Sequence, residues 1–249
     1  MYILGLNEAQ GASAAILNNG KITAAASEER FSRIKNCWGF PKQAISFCVN
    51  VTGIKTNKID YVVLSYKDPY PHFVQRRTEE RRELAPNILR RLRDTAPMAE
   101  YYMPFLNRIT ELGRQFYYRQ YYPHLKRLQY EEISQMLHIS TNKIVSADHH
   151  EIHAYTAYYA NPFWSVNPTL VLTCDGAGDD LSATVSIVRN GNFERIASTP
   201  HIHSLGLFYS TFTQFLGFEI NEGEYKVMGL APYGRPEFIR QVEKLIKQS

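Results

Sequence analysis

Apolar and polar positions divide the chain into short blocks of different period. Tyr2-Ile3-Leu4-Gly5-Leu6 is an apolar run of strand length, Ser13 to Leu17 is a second, and Ile22 to Ala26 is a third. Asn18-Asn19-Gly20-Lys21 separates the last two. Asn and Gly tolerate the positive φ that a tight hairpin needs, so this tetrapeptide predicts a turn between antiparallel strands. Asn7 to Gly11 is the polar turn between the first two runs, and residues 2–26 together predict a three-stranded meander. Phe31 to Gly39 is expected as a basic loop. Pro41 then opens a helix in which Ala44, Ile45, Phe47, Cys48 and Val49 recur at helical spacing. Asp60 to Ser65 is another buried strand.

The period is lost between about Asp68 and Glu132. Arg76-Arg77, Arg81-Arg82, Arg90-Arg91 and Arg93 alternate with Glu79-Glu80 and Glu83, and the pairs Tyr101-Tyr102, Tyr117-Tyr118 and Tyr121-Tyr122 follow. One reading is a helical insertion with charges in solvent and tyrosines packed on the main domain. The other is a surface that binds nucleic acid by phosphate contact and base stacking. Interspersed acids and the lack of an RNA-binding signature favour the insertion, a suitable place for substrate selection or subunit contact.

Asp148-His149-His150-Glu151-Ile152-His153-Ala154 follows the apolar Ile144-Val145 and opens a segment with a helical pattern as far as Asn161-Pro162. Asp148 is the expected N-cap, with Glu151 closing a capping box. His149 and His153 stand four residues apart and share a face, which makes half of a site for zinc or iron. Glu151 lies about 200° round the helix from His149 and points away, unlike the glutamate of a zinc protease, which directly follows the first histidine. His150 with His153 is a competing pair, and a helix start that is merely rich in surface histidine is the plain alternative. If His149 and His153 pair, His150 projects about 100° off their face, so its replacement by Ala is expected to leave metal binding largely intact.

Thr169 to Cys174 is an apolar strand that runs into Asp175-Gly176-Ala177-Gly178-Asp179. Glycines let the backbone approach an anion and carboxylates hold its cation, so this is a candidate phosphate loop; an Asp-Gly turn between strands looks the same. Ser182 to Val188, the hairpin turn Arg189-Asn190-Gly191-Asn192 and Phe193 to Ser198 complete a second meander over residues 169–199. Two meanders, each with a polar loop between its first two strands, describe the α/β actin/sugar-kinase/Hsp70 (ASKHA) architecture, whose loops face each other across a nucleotide cleft. Ser204-Leu205-Gly206 leads into a helix through Phe215. Lys226, in a glycine-bounded segment, is either a phosphate contact or a surface lysine.

Composition narrows the class. The 249 residues are 44% hydrophobic and 21% charged, as in soluble globular proteins. A net charge of +4 is too mild to argue for nucleic acid. Cys37, Cys48 and Cys174 have no metal spacing and leave one thiol over, which fits a reducing cytoplasm. The apolar start is broken at Asn7-Glu8 without a basic leader, so no signal peptide is expected, and no run of eighteen apolar residues predicts a membrane span.

The motifs together resemble the nodulation-protein and antibiotic O-carbamoyltransferase family. The matching pieces are Ile3 to Asn7 with Ala12 to Ala15, Ser27-Glu28-Glu29-Arg30-Phe31-Ser32, Gly39-Phe40-Pro41, Asp148-His149-His150 with His153-Ala154, Asn161-Pro162-Phe163, Thr173 to Asp179, Ser204-Leu205-Gly206 and Glu224 to Gly234. The resemblance implies transfer of a carbamoyl group from carbamoyl phosphate, through an ATP-dependent carbamoyl-adenylate, to a hydroxyl of a small molecule. It implies a metal on His149 and His153, usually iron, with zinc or manganese as alternatives. A third, carboxylate ligand is expected from beyond Ser249, so weak metal binding by the chain alone is expected.

Asp175, Gly176, Gly178, Asp179, Lys226 and Gly229 are expected around the nucleotide or carbamoyl phosphate, facing the first loop with Asn7 and Gln10. The family usually has His where this chain has Gln10, which can orient a group but cannot exchange a proton. The implied organisation is a first ASKHA-like half over 1–165, interrupted by the insertion at about 68–132, and the start of a second over 166–249. The adenylate-forming domain is then a missing C-terminal domain or a separate subunit. Two alternatives remain: a non-catalytic nucleotide-binding remnant or partner subunit, and a tRNA-modifying relative of the threonylcarbamoyl-transfer enzymes, which share the histidine pair.

Overall fold

Two Asn-Gly turns fix the layout. Asn19 (φ 49°) and Gly20 (φ 80°) close one hairpin, and Asn190 (φ 52°) and Gly191 (φ 78°) close another. Positive φ at both central residues gives the turn whose twist matches that of paired strands. The computed structural model describes residues 1–69, 73, 122–162 and 166–248. Most of the expected insertion, with its arginine runs, lies outside the described residues. The chain forms two units, Met1–Ala147 and Asp148–Ser249.

In the first unit, β1 (Tyr2–Asn7), β2 (Ser13–Asn18) and β3 (Lys21–Ser27) form the expected antiparallel meander. β4 (Tyr61–Leu64) pairs in parallel with β1, and β5 (Ile144–Ser146) in parallel with β4, giving a mixed sheet in the order β3-β2-β1-β4-β5. Leu4 and Leu6 alternate inward on β1 and meet Ala44, Ile45 and Cys48 from α2 (Lys42–Thr52) in one core. Ile133 and Leu137, one turn apart on the helix α3 over residues 122–137, join the same cluster.

The expected basic loop begins instead as one helical turn, α1 (Glu29–Ser32), which ends at Arg33 in the left-handed region (φ 60°). The Glu28 carboxylate before it accepts the N–H groups of Gln43 (3.1 Å) and Ala44 (2.8 Å). Pro41, the N-cap of α2, has no side-chain bond to give, so Glu28 supplies the anion that the helix start lacks.

In the second unit, α4 (His149–Tyr159) packs on an antiparallel sheet of β6 (Thr169–Gly178), β7 (Leu181–Arg189) and β8 (Asn192–Pro200). Ala154 and Tyr158 from the helix meet Val171 and Val188 from the sheet, with Phe193 at the edge. This packing puts the histidine helix with the second meander, in the unit Asp148–Ser249. The other face of β6 is open: Leu170 and Leu172 are exposed. α5 (Leu205–Phe215), capped by Ser204 through the Leu207 N–H, α6 (Glu224–Leu230) and α7 (Ile239–Gln248) follow. None of the described helices is long and apolar enough to cross a membrane.

Candidate metal centre

Three devices hold the start of α4. The Asp148 carboxylate accepts the Glu151 N–H (3.0 Å), as expected of an N-cap. The reciprocal half of the capping box is not made; the Glu151 carboxylate is turned toward Arg195 (3.9 Å), which also meets Asp148 at 2.8 Å. Asp148 is partly buried, which opposes ionisation, but the bonds from the Glu151 N–H and from Arg195 prevail and hold its carboxyl below the usual value. Finally, Asp179 accepts the N–H of His149 itself (2.7 Å).

Asp179 reaches that N–H because β6 does not end in the expected loop. The strand continues to Gly178 with a shift of register between Cys174 and Gly178, and the turn is Asp179-Asp180, both at positive φ (47° and 65°). Gly178 lies against the His149 ring: a Cβ there would stand 2.0 Å from His149 Cδ2. Gly176 admits a different neighbour, since a Cβ on Gly206 would lie 3.2 Å from its Cα. The start of α5 therefore comes close to the Asp175-Gly176 backbone.

His149 and His153 share a face, as their spacing predicts, with Nε2 atoms 2.9 Å apart. Asp175 Oδ2 lies 2.8 Å from His149 Nε2 and 3.7 Å from His153 Nε2. Asp175 and Asp179 were expected to face phosphate, with the third metal ligand beyond Ser249; their side chains instead meet α4. Asp175 turns to the histidines and Asp179 caps their helix. The hydrogen bond from His149, followed by the His153 imidazole 3.7 Å away, holds the Asp175 carboxyl far below the usual carboxylate range against the opposing effect of its burial.

One proton serves this triangle poorly. On His149 Nε2 it bonds Asp175 at 2.8 Å and reaches His153 Nε2 only as a bent, shared bond; without it, His149 meets Asp175 lone pair to lone pair. A cation satisfies all three donors at once. Atoms separated by 2.9, 2.8 and 3.7 Å lie on a circle of radius about 1.9 Å, slightly inside the ~2.0–2.2 Å bonds that zinc makes to histidine and carboxylate. His149, His153 and Asp175 would hold such an ion as its three protein ligands. Two histidines and one carboxylate are also the donor set of non-haem iron(II) sites with open positions. Side-chain exposure rises from 12% at His149 to 37% at Asp175 and 49% at His153, so the open side faces solvent. Among the described residues this is the single cluster of three such ligands.

Other expected site residues take other places. Asn7 organises its own loop: its amide donates to the carbonyls of Gln10 (3.2 Å) and Gly11 (3.3 Å), and its oxygen accepts from the Ala9 N–H and the Ser65 hydroxyl. The Gln10 side chain is half-buried and makes no hydrogen bond among the described residues. Lys226 is exposed on α6, with its ammonium 5.8 Å from the rings of Phe218 and Tyr225. Gly229 has no neighbour that requires glycine.

Sequence reasoning left out Glu8, a buried carboxylate that accepts from Gln129 Nε2 at 2.6 Å. It also left His150 idle, although His150, Ala154 and Tyr158 recur every fourth residue and form the buried stripe of α4. That stripe was the available signal. Burial, followed by lesser contributions, lowers the His150 pKa and keeps the ring neutral near pH 7.

Known proteins place the chain. YeaZ from Pseudomonas aeruginosa, at 11% identity and a TM-score of 0.37 over 80% of this chain and 67% of its own, is too distant to weigh. An uncharacterized protein of Synechocystis sp. is 34% identical over 247 residues, covering 96% of this chain and 35% of that protein. Nodulation protein NolNO of Sinorhizobium fredii is 26% identical over 90% of this chain and 28% of its own length. Nodulation protein NolO of Bradyrhizobium diazoefficiens is 40% identical over 95 residues, 38% of this chain and 17% of that protein. The chain spans about a third of the length of the first two relatives. The profile of the carbamoyltransferase N-terminus family matches residues 2–249, and the chain belongs to that family.

Proposed function

We propose that this chain is the part of an O-carbamoyltransferase that binds the nucleotide and phosphate groups of the carbamoyl donor, and that His149, His153 and Asp175 hold a divalent ion, iron by preference. The observation that carries the reading is the convergence of two imidazole nitrogens and one carboxylate oxygen within 3.7 Å of one another. A bound divalent ion would supply positive charge to a phosphate oxygen of the substrate.

The chain's own residues prepare the place. Asp148 and Asp179 fix the first turn of α4, so His149 stays against the strand. Gly178 leaves the ring its room, and nothing lies within 4 Å of where a Cβ on Gly176 would sit. Lys226 offers an exposed positive charge for a phosphate.

In this reading the carbamoyl group passes from carbamoyl phosphate, through an ATP-derived carbamoyl-adenylate, to a hydroxyl of a small molecule. The repeated meander supports an ASKHA-like duplicated scaffold for it. Adenylate formation belongs to a further domain or a separate subunit, and a cytoplasmic setting suits the substrates. Calorimetric titration of ATP and of carbamoyl phosphate into the manganese-loaded chain tests the reading. Binding is expected, lost in His149→Ala and weakened in Lys226→Ala. A metal-loaded chain that binds neither compound contradicts it.

A further inference from the structure

We infer that His150 is a positioning residue, which with Thr173 and Thr184 locks the helix bearing two metal ligands to the strand bearing the third. This inference rests on the metal reading above. His150 is fully buried, and its Nδ1 lies 2.9 Å from Thr173 Oγ1. Thr173 Oγ1 lies 2.7 Å from Thr184 Oγ1 and accepts the Thr184 N–H at 3.1 Å. Both threonines are buried. The chain of bonds crosses from α4 through β6 to β7.

Two proton arrangements satisfy it. Thr173 Oγ1 has one proton to give and two lone pairs. Accepting from the Thr184 N–H and from His150 Nδ1–H fills both lone pairs and sends its own proton to Thr184 Oγ1. In the other tautomer Thr173 gives its proton to His150 Nδ1 and accepts from the Thr184 hydroxyl and N–H, so either tautomer keeps the link from α4 to β7.

The lock matters because of where its ends sit. His150 follows the ligand His149 directly, and Thr173 lies two residues before the ligand Asp175 on the same strand. Alternation along a strand puts Thr173 and Asp175 on one face, toward the helix. Sliding or turning α4 on the sheet would change all three donor separations, and the His150–Thr173 bond resists both movements. It replaces the expectation that His150 is dispensable for metal binding.

Cobalt(II) binding to the purified chain tests this, with affinity from chelator competition, coordination from the visible absorption of the cobalt, and folding of the metal-free chain from far-ultraviolet circular dichroism. His150→Leu and the near-isosteric Thr173→Val should each lose about tenfold or more in affinity, the scale on which outer partners support a site. Both should alter the cobalt spectrum while the metal-free chain remains folded. Thr173→Ser, which keeps the hydroxyl, and His150→Asn, whose amide can reach Thr173, should stay within about threefold of wild type and keep its spectrum. Wild-type affinity and spectrum in folded Thr173→Val overturn the inference. So does an affinity loss that tracks only unfolding. A wild-type chain that binds no cobalt overturns the metal reading, and the positioning role with it.

Discussion

The two meanders have the same strand order and close their second hairpins with the same Asn-Gly turn, but their first connections are used differently. Between β1 and β2, Asn7 directs its amide to the carbonyls of Gln10 and Gly11 and accepts from Ala9 and Ser65. Its polar capacity is consumed in holding one loop. Between β6 and β7 the connection is shorter, because the strands run on to Gly178 and Leu181. Asp175 and Asp179 are then directed at a neighbouring helix, one to its histidine rings and the other to its first N–H. A repeated backbone thus acquires chemistry where its polar side chains have an outside partner.

Substituting the glycine of each first strand probes the difference most strongly. Gly178→Ala drives a methyl into the His149 ring; a loss of about a hundredfold or more in metal affinity is expected, with about 1–3 kcal/mol of stability from overpacking. Gly5→Ala adds a Cβ that meets only the Ala15 carbonyl at 3.9 Å, so metal affinity should not change and stability should shift by no more than ~0.5 kcal/mol. Equal effects in chelator competition and thermal melts would end the contrast.

Asn7→Ala should behave in the opposite way to Gly178→Ala. Removing four partly buried hydrogen bonds is expected to cost about 1–3 kcal/mol in denaturant unfolding, with metal affinity unchanged. A drop in metal affinity as large as that of Gly178→Ala would show that the first loop is part of the metal site.

Asp148→Ala removes the cap of α4 and should cost about 1 kcal/mol at pH 7. The folded-state pKa of Asp148 lies below its ordinary value, so its contribution is complete above the unfolded carboxylate pKa. It fades as pH falls through the folded value. Wild type and variant should therefore converge in acid, and a stability difference that grows below about pH 4 would contradict the assignment. The smallest effect is expected at Gln10, where Ala should change stability by less than ~0.5 kcal/mol because its side chain makes no hydrogen bond among the described residues.

What the sequence revealed was local. Asn-Gly pairs, the Asp148 cap and the four-residue spacing of His149 and His153 each follow from a few adjacent residues, and each is present. The role of Asp175 was not legible, since a strand side chain changes face with every residue and a shift of register lies just beyond Cys174. Glu28 capping a helix that begins fourteen residues later depends on tertiary packing. So does the placement of the histidine helix on the second sheet, which the unusually buried stripe of His150, Ala154 and Tyr158 decides.

Metal content tests the central claim most directly. The chain, purified after iron or zinc is supplied and then dialysed, should hold about one divalent ion per molecule by elemental analysis, given three protein ligands and an open position. His149→Ala, His153→Ala and Asp175→Asn should each remove it while the fold persists. Stoichiometric metal that survives both His149→Ala and Asp175→Asn would contradict the assignment of this triangle as the metal centre.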